Sequence, residues 1–118
     1  MALDQAFEIS GQETAQVLHV HNLLSESLNK EILQAVQTRI EEGFSNFVID
    51  LKEAPFINSV GLNLLIHIML RAKEGGGNLV IANASAKVLQ LLEVTKLKSM
   101  FLLAPDVEAA VHLFSTNE

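Results

Sequence analysis

The sequence predicts an α/β domain on one mixed β-sheet, an N-terminal hairpin followed by alternating helices and strands, with about four helices packed on it. Two short strand-like segments flank a glycine at the start of the chain. Buried-type apolar runs recur at residues 46–51 and 78–82, and stretches of helical periodicity separate the strands. Such alternation favours parallel strands joined by right-handed crossovers.

Residues 7–10 and 15–20 read as the hairpin strands, with Gly11-Gln12-Glu13 between them. From Ser27 onward, Leu28, Ile32, Val36 and Ile40 recur at helical spacing, marking an amphipathic helix that ends near Gly43. Lys30, Glu31, Glu41 and Glu42 form its solvated face. The run Asn46-Phe47-Val48-Ile49-Asp50-Leu51 is a buried strand, and Pro55-Phe56-Ile57-Asn58 is its exit loop. Ser59 is expected to cap the next helix, which carries Leu62, Leu65, Ile66 and Met69 on one face and stops at Gly75-Gly76-Gly77. Residues 78–82 form another strand, and Ser85 caps a helix with Val88, Leu91 and Leu92. Phe101-Leu102-Leu103 is a short edge strand, and Pro105 opens a last helix through Phe114. No repeat or linker divides the chain, so residues 1–118 read as one domain with its core at about 7–114.

Composition narrows the function. Fourteen acidic against eight basic residues give a net charge of -6 without a basic cluster, which disfavours nucleic acid and anionic membrane as ligands and favours a protein partner. The absence of cysteine excludes disulfides, thiolate metal sites and thiol catalysis. No run approaches the roughly 20 apolar residues of a membrane span, and the first residues do not resemble a secretion signal. The expectation is a soluble cytoplasmic protein, monomeric or weakly dimeric.

At the start of a helix, the Ser59 hydroxyl stands beside free backbone N–H groups and the positive end of the dipole, where a phosphate is electrostatically favoured. A simple helix cap is the alternative role. About the following helix, Leu64, His67, Ile68 and Arg71 fall opposite the core face, an apolar and polar mixture suited to partner binding. Coverage by the C-terminal helix or by a second copy would account for the same pattern.

Other candidates are weaker. His19 and His21 share one face of a strand but have no third metal ligand nearby, so they read as surface or edge-strand histidines. His67 and His112 sit alone on helices, and Asp50 reads as ordering the loop that carries Ser59. The triple glycine ends a helix, whereas a phosphate cradle follows a strand and opens one. No metal or cofactor is implied.

Taken in order, Phe47-Val48-Ile49-Asp50-Leu51, Phe56-Ile57-Asn58-Ser59-Val60-Gly61-Leu62, Gly76-Gly77-Asn78-Leu79-Val80 and Leu91-Leu92-Glu93-Val94-Thr95-Lys96-Leu97 resemble the STAS family, over nearly the whole chain from Phe7 to Phe114. The resemblance implies a non-enzymatic anti-sigma factor antagonist. In typical members the unphosphorylated antagonist binds an anti-sigma factor that is also a serine kinase. Phosphorylation of a serine in an Asp-Ser-(Ser/Thr)-Gly-Leu motif ends that binding, and a phosphatase restores it. The match puts Ser59 on that serine, with Asn58, Val60 and Gly61 shaping the loop and Leu64, His67, Ile68 and Arg71 extending the docking surface.

This chain departs from the pattern in three places. Asn58 replaces the usual Asp, Val60 replaces Ser or Thr, and His21-Asn22-Leu23-Leu24 replaces a Gly-Glu-Leu-Asp type turn. The departures are consistent with a partner altered on its own side of the contact, and also with loss of phosphorylation. The latter gives the alternative reading: a constitutive STAS subunit of a larger assembly, such as a lipid-transport ATPase or a stress-signalling complex. A hydrolase using Ser59 lacks a recognisable base and a Gly-x-Ser-x-Gly elbow.

Overall fold

A computed structural model of the protein describes residues 7–12, 15–22 and 25–115. The elements follow in the order β1 (Phe7–Gln12), β2 (Ala15–Val20), α1 (Glu26–Glu41), β3 (Asn46–Asp50), α2 (Ser59–Glu74), β4 (Asn78–Ala82), α3 (Ala86–Val94), a 3-10 turn (Lys98–Met100), β5 (Leu102–Ala104) and α4 (Val107–Ser115). The five strands lie side by side in chain order. β1 and β2 are antiparallel and every later pair is parallel. β1 runs further than the predicted 7–10, and Glu13 of the expected turn lies outside the described residues.

Each parallel strand is added beside the preceding one, so crossovers of one hand must all pass over the same face of the sheet. α1, α2 and α3 do so. Ile32, Val36, Leu65, Met69, Val88 and Leu92 pack there on Leu18, Phe47, Ile49, Leu79 and Ile81. α4 covers the other face, where Ala110 and Val111 meet Val17, Val48, Val80 and Ala82. The middle strands are therefore buried on both sides, which is why residues 47–49 and 79–82 read as unbroken apolar runs.

Helix ends follow local chemistry, with two shifts from expectation. α1 begins earlier than Ser27, because Ser25 Oγ accepts the Leu28 N–H at 3.3 Å. α4 is capped by Asp106, whose Oδ1 accepts the Ala109 N–H at 2.8 Å, and Pro105 stands outside the helix. Ser85 caps α3 as expected, accepting the Val88 N–H at 3.1 Å.

The expected outer face of α2 is partly wrong. Leu64 and Ile68 are only 3% and 0% exposed, because α1 lies along α2 and covers them. α2 packs on the sheet through one stripe and on α1 through a second, so its apolar sector is wider than a single stripe implies. The covering element is α1, and α4 lies across the sheet. Polar links fasten this contact: Arg71 Nη1 donates to Gln37 Oε1 at 2.9 Å and Asn29 Nδ2 to the Val60 carbonyl at 3.3 Å. Arg39 Nη1 ties α1 to the sheet by donating to Gln16 Oε1 at 3.0 Å.

The triple glycine turns the chain from α2 into β4. Gly76 has φ +95°, and the Gly77 N–H reaches back to the Ala72 carbonyl at 2.8 Å. A Cβ on Gly77 would collide with the Ser45 carbonyl just before β3, so the absence of a side chain lets β4 enter beside β3. Gly77→Ala is expected to lower stability by about 1–3 kcal/mol, read as a reduced urea midpoint with the m-value retained.

Candidate functional site

The loop that presents Ser59 starts from a carboxylate hub. Asp50, the last residue of β3, accepts the Asn83 Nδ2–H at 2.8 Å and the Lys52 N–H at 3.0 Å on Oδ1. His19 Nδ1 lies 2.8 Å from Oδ2, and since a carboxylate only accepts, that ring nitrogen carries the proton. Burial pushes the Asp50 pKa upward, but the hydrogen bonds from Asn83, Lys52 and His19, with the charge of His19, outweigh it and hold the carboxyl below 3.8. The hub joins the ends of β2, β3 and β4. Asn83 adopts φ +59°, a left-handed conformation that asparagine tolerates.

Beyond the hub the loop is pinned along its length. Leu51 N–H donates to the Ala82 carbonyl at 3.0 Å, Ala54 N–H to the Leu51 carbonyl at 3.0 Å, and Ala54 is buried. The Ser85 hydroxyl donates to the Pro55 carbonyl at 2.6 Å while capping α3, so one side chain holds both the loop and the helix. The Lys87 ammonium stands 5.4 Å from the centroid of the Phe56 ring.

Asn58, and not Ser59, caps α2. Its Oδ1 accepts the Gly61 N–H at 3.1 Å and its carbonyl accepts the Leu62 N–H at 2.9 Å. Asparagine is as good a cap as serine, and the extended backbone at Asn58 suits that position. Ser59 becomes the first helical residue and is exposed. Its hydroxyl is thereby spared the capping role and stays accessible at the positive end of the dipole.

A groove of about 560 Å³ opens beside it between α2 and α1. Val60, Asn63, Leu64 and His67 contribute from α2, with Glu26, Ser27, Asn29, Lys30 and Leu33 from α1. The structure thus brings Asn58, Ser59, Val60, Gly61 and exposed His67 into one region. It places Leu64 at the groove floor, Ile68 wholly in the core, and half-buried Arg71 further along against Gln37. Asn63 and the α1 residues escaped the sequence reading: Asn63 is one polar residue among many, and helix spacing does not say which helix lies alongside. Leu64 and Ile68 one turn apart were the available signal for a second packed stripe.

The two strand histidines separate. His19 is engaged by Asp50 on an interior strand, not at an edge, and His21 is exposed beyond the strand end. Among the described residues no group of three or more His, Asp or Glu side chains is placed to hold a metal. Likewise no helix among them is long and apolar enough to cross a membrane. Leu23 and Leu24 of the expected acidic-turn position lie outside the described residues.

A hairpin-led mixed sheet with three crossover helices on one face and an exposed serine opening α2 defines the class: a small α/β module that presents a helix N-terminus. The STAS domain family model matches residues 6–110, and the chain belongs to that family. A Bordetella bronchiseptica protein named as an anti-sigma factor antagonist, BtrV, is 29% identical over 91 residues, spanning 76% of this chain and 78% of that protein. The Thermotoga maritima protein TM1081 has the same fold at TM-score 0.81 and 17% identity, covering 91% of this chain and 92% of that one. The anti-sigma factor antagonist SpoIIAA in its unphosphorylated form matches at TM-score 0.77 and 17% identity, with 96% and 100% covered.

Two substitutions test the local physics. Asn58→Ala is expected to cost about 1 kcal/mol and Asn58→Asp almost nothing, since aspartate caps equally well, measured by thermal unfolding. For Asp50 the folded pKa is depressed, so its stabilisation is present above the unfolded value of about 3.9 and is lost as pH falls through the folded value. Asp50→Asn should therefore destabilise by about 1–3 kcal/mol at pH 7, with the gap to the parent closing below about pH 4 in urea titrations.

Proposed function

We propose that this protein is an anti-sigma factor antagonist working by partner switching. Its unphosphorylated form binds an anti-sigma factor that is also a serine kinase, the kinase phosphorylates Ser59 and ends the contact, and a phosphatase restores it. The protein acts as a single non-enzymatic cytoplasmic module, and the phosphate comes from ATP held by the kinase. The observation that carries this reading is the exposed Ser59 hydroxyl, free of the capping role, on a pinned loop beside the α1–α2 groove. Membership of the STAS family and the BtrV resemblance support it. So does SpoIIAA, of which both unphosphorylated and phosphorylated forms have been solved.

The switch needs no refolding. A phosphate on Ser59 adds a charge of about -1.5 to -2 at a helix end that favours anions, so the free protein accommodates it. Within a protein contact the same charge has to be stripped of water, and a partner without a matching cation then loses affinity. The docking surface joins exposed Ser59 to the groove residues Val60, Asn63 and His67 and to Glu26, Ser27 and Lys30 of α1. The neutral Asn58 and apolar Val60 set the partner's own complement, because neither offers a charge to bind.

Incubation with candidate anti-sigma kinases and ATP should add one phosphate to the parent chain and none to Ser59→Ala, read by intact mass. Ser59→Asp should weaken kinase binding by about thirtyfold while Ser59→Ala leaves it nearly unchanged. Firm binding to an active kinase without phosphate transfer would instead favour a constitutive subunit of a larger assembly.

A further inference from the structure

Apart from the groove beside α1, the loop has a second exposed flank, against α3. The two most exposed large apolar side chains among the described residues are Val94, at 69%, and Phe56, at 57%. Both line the same shallow groove of about 350 Å³, together with Ile57, Lys87, Gln90 and Leu91. Scattered apolar side chains are ordinary on a protein surface, but the two extremes lining one groove form a patch.

Of the residues lining the groove only Lys87 carries a charge, and it is positive on a protein whose net charge is -6. The neighbouring Glu93 is paired with Lys98 at 3.1 Å. Lys87 is held over the Phe56 ring, so the cation and the aromatic surface are presented side by side. The backbone under Phe56 is already ordered by the Ser85 bond to Pro55 and by buried Ala54. Binding there immobilises little that is mobile beforehand.

We infer that this face docks an acidic segment of a partner protein, with a large apolar side chain seated between Phe56 and Val94 and a carboxylate on Lys87. Complementary charge selects an acidic ligand, and the exposed aromatic and aliphatic surface supplies the anchor. The contact does not depend on phosphate at Ser59.

The test selects short random peptides displayed on phage against the full chain, then titrates the enriched peptides with purified variants. The expected consensus places Asp or Glu next to a large apolar residue. Lys87→Glu and Val94→Asp should each weaken binding about tenfold. Lys73→Glu, the same charge change at an exposed site on α2, should leave binding unchanged. Circular dichroism checks that each variant is folded. An enriched pool without acidic residues, or equal loss in Lys73→Glu, would overturn the proposal. Self-association in sedimentation velocity that Val94→Asp abolishes would also overturn it, assigning the face to a second copy of the chain.

Discussion

The Asp50 carboxylate receives hydrogen bonds from His19, Lys52 and Asn83, groups belonging to three segments that are distant in sequence. Through them it fixes where β2, β3 and β4 end relative to one another, and it sets the first turn of the loop leading to Ser59. An ionised, partly buried carboxylate is stable there only because each oxygen is satisfied. The loop inherits its path from that arrangement, and α2 inherits its starting point from the loop.

The same loop joins two neighbourhoods. Its middle leans on α3 through the Ser85 hydroxyl and the Phe56–Lys87 stack. The helix it launches leans on α1 through Leu64, Ile68 and the Arg71–Gln37 bond. Ser59 lies where these supports meet, at a helix end whose cap is supplied by the preceding residue. Division of labour between Asn58 and Ser59 is what allows an exposed hydroxyl at the first helical position without leaving the helix end uncapped. A modification at Ser59 then acts on the surface and leaves the core alone. That is the physical basis of the proposed switch, which works through surface charge rather than refolding.

Much of the fold was legible in the residues. The alternating segments, the stops at Gly43 and Gly75 and the cap at Ser85 depend on interactions within a few residues, and they came out as read. The reading failed where a choice lay between adjacent residues or between faces. Asn58 and Ser59 are equivalent caps by local chemistry, and only the backbone path out of the β3 loop selects the first. Leu64 and Ile68 were assigned to a surface because one stripe already accounted for packing on the sheet, yet α1 buries them as a second stripe. The groove suffered from the same blindness, since more than half of its lining comes from α1, a separate helix earlier in the chain.

The sequence by itself determined the order and kind of the elements, the family they belong to, and the serine at the head of α2. Those features are written in periodicity, turn residues and motif order, which are local properties. Only the tertiary structure decided which residue caps that helix, which apolar side chains are buried, and that Phe56 and Val94 line one groove with Lys87. Such outcomes depend on which distant surfaces meet, and a helix that packs on both a sheet and a neighbour carries no local mark telling its second buried stripe from an exposed one.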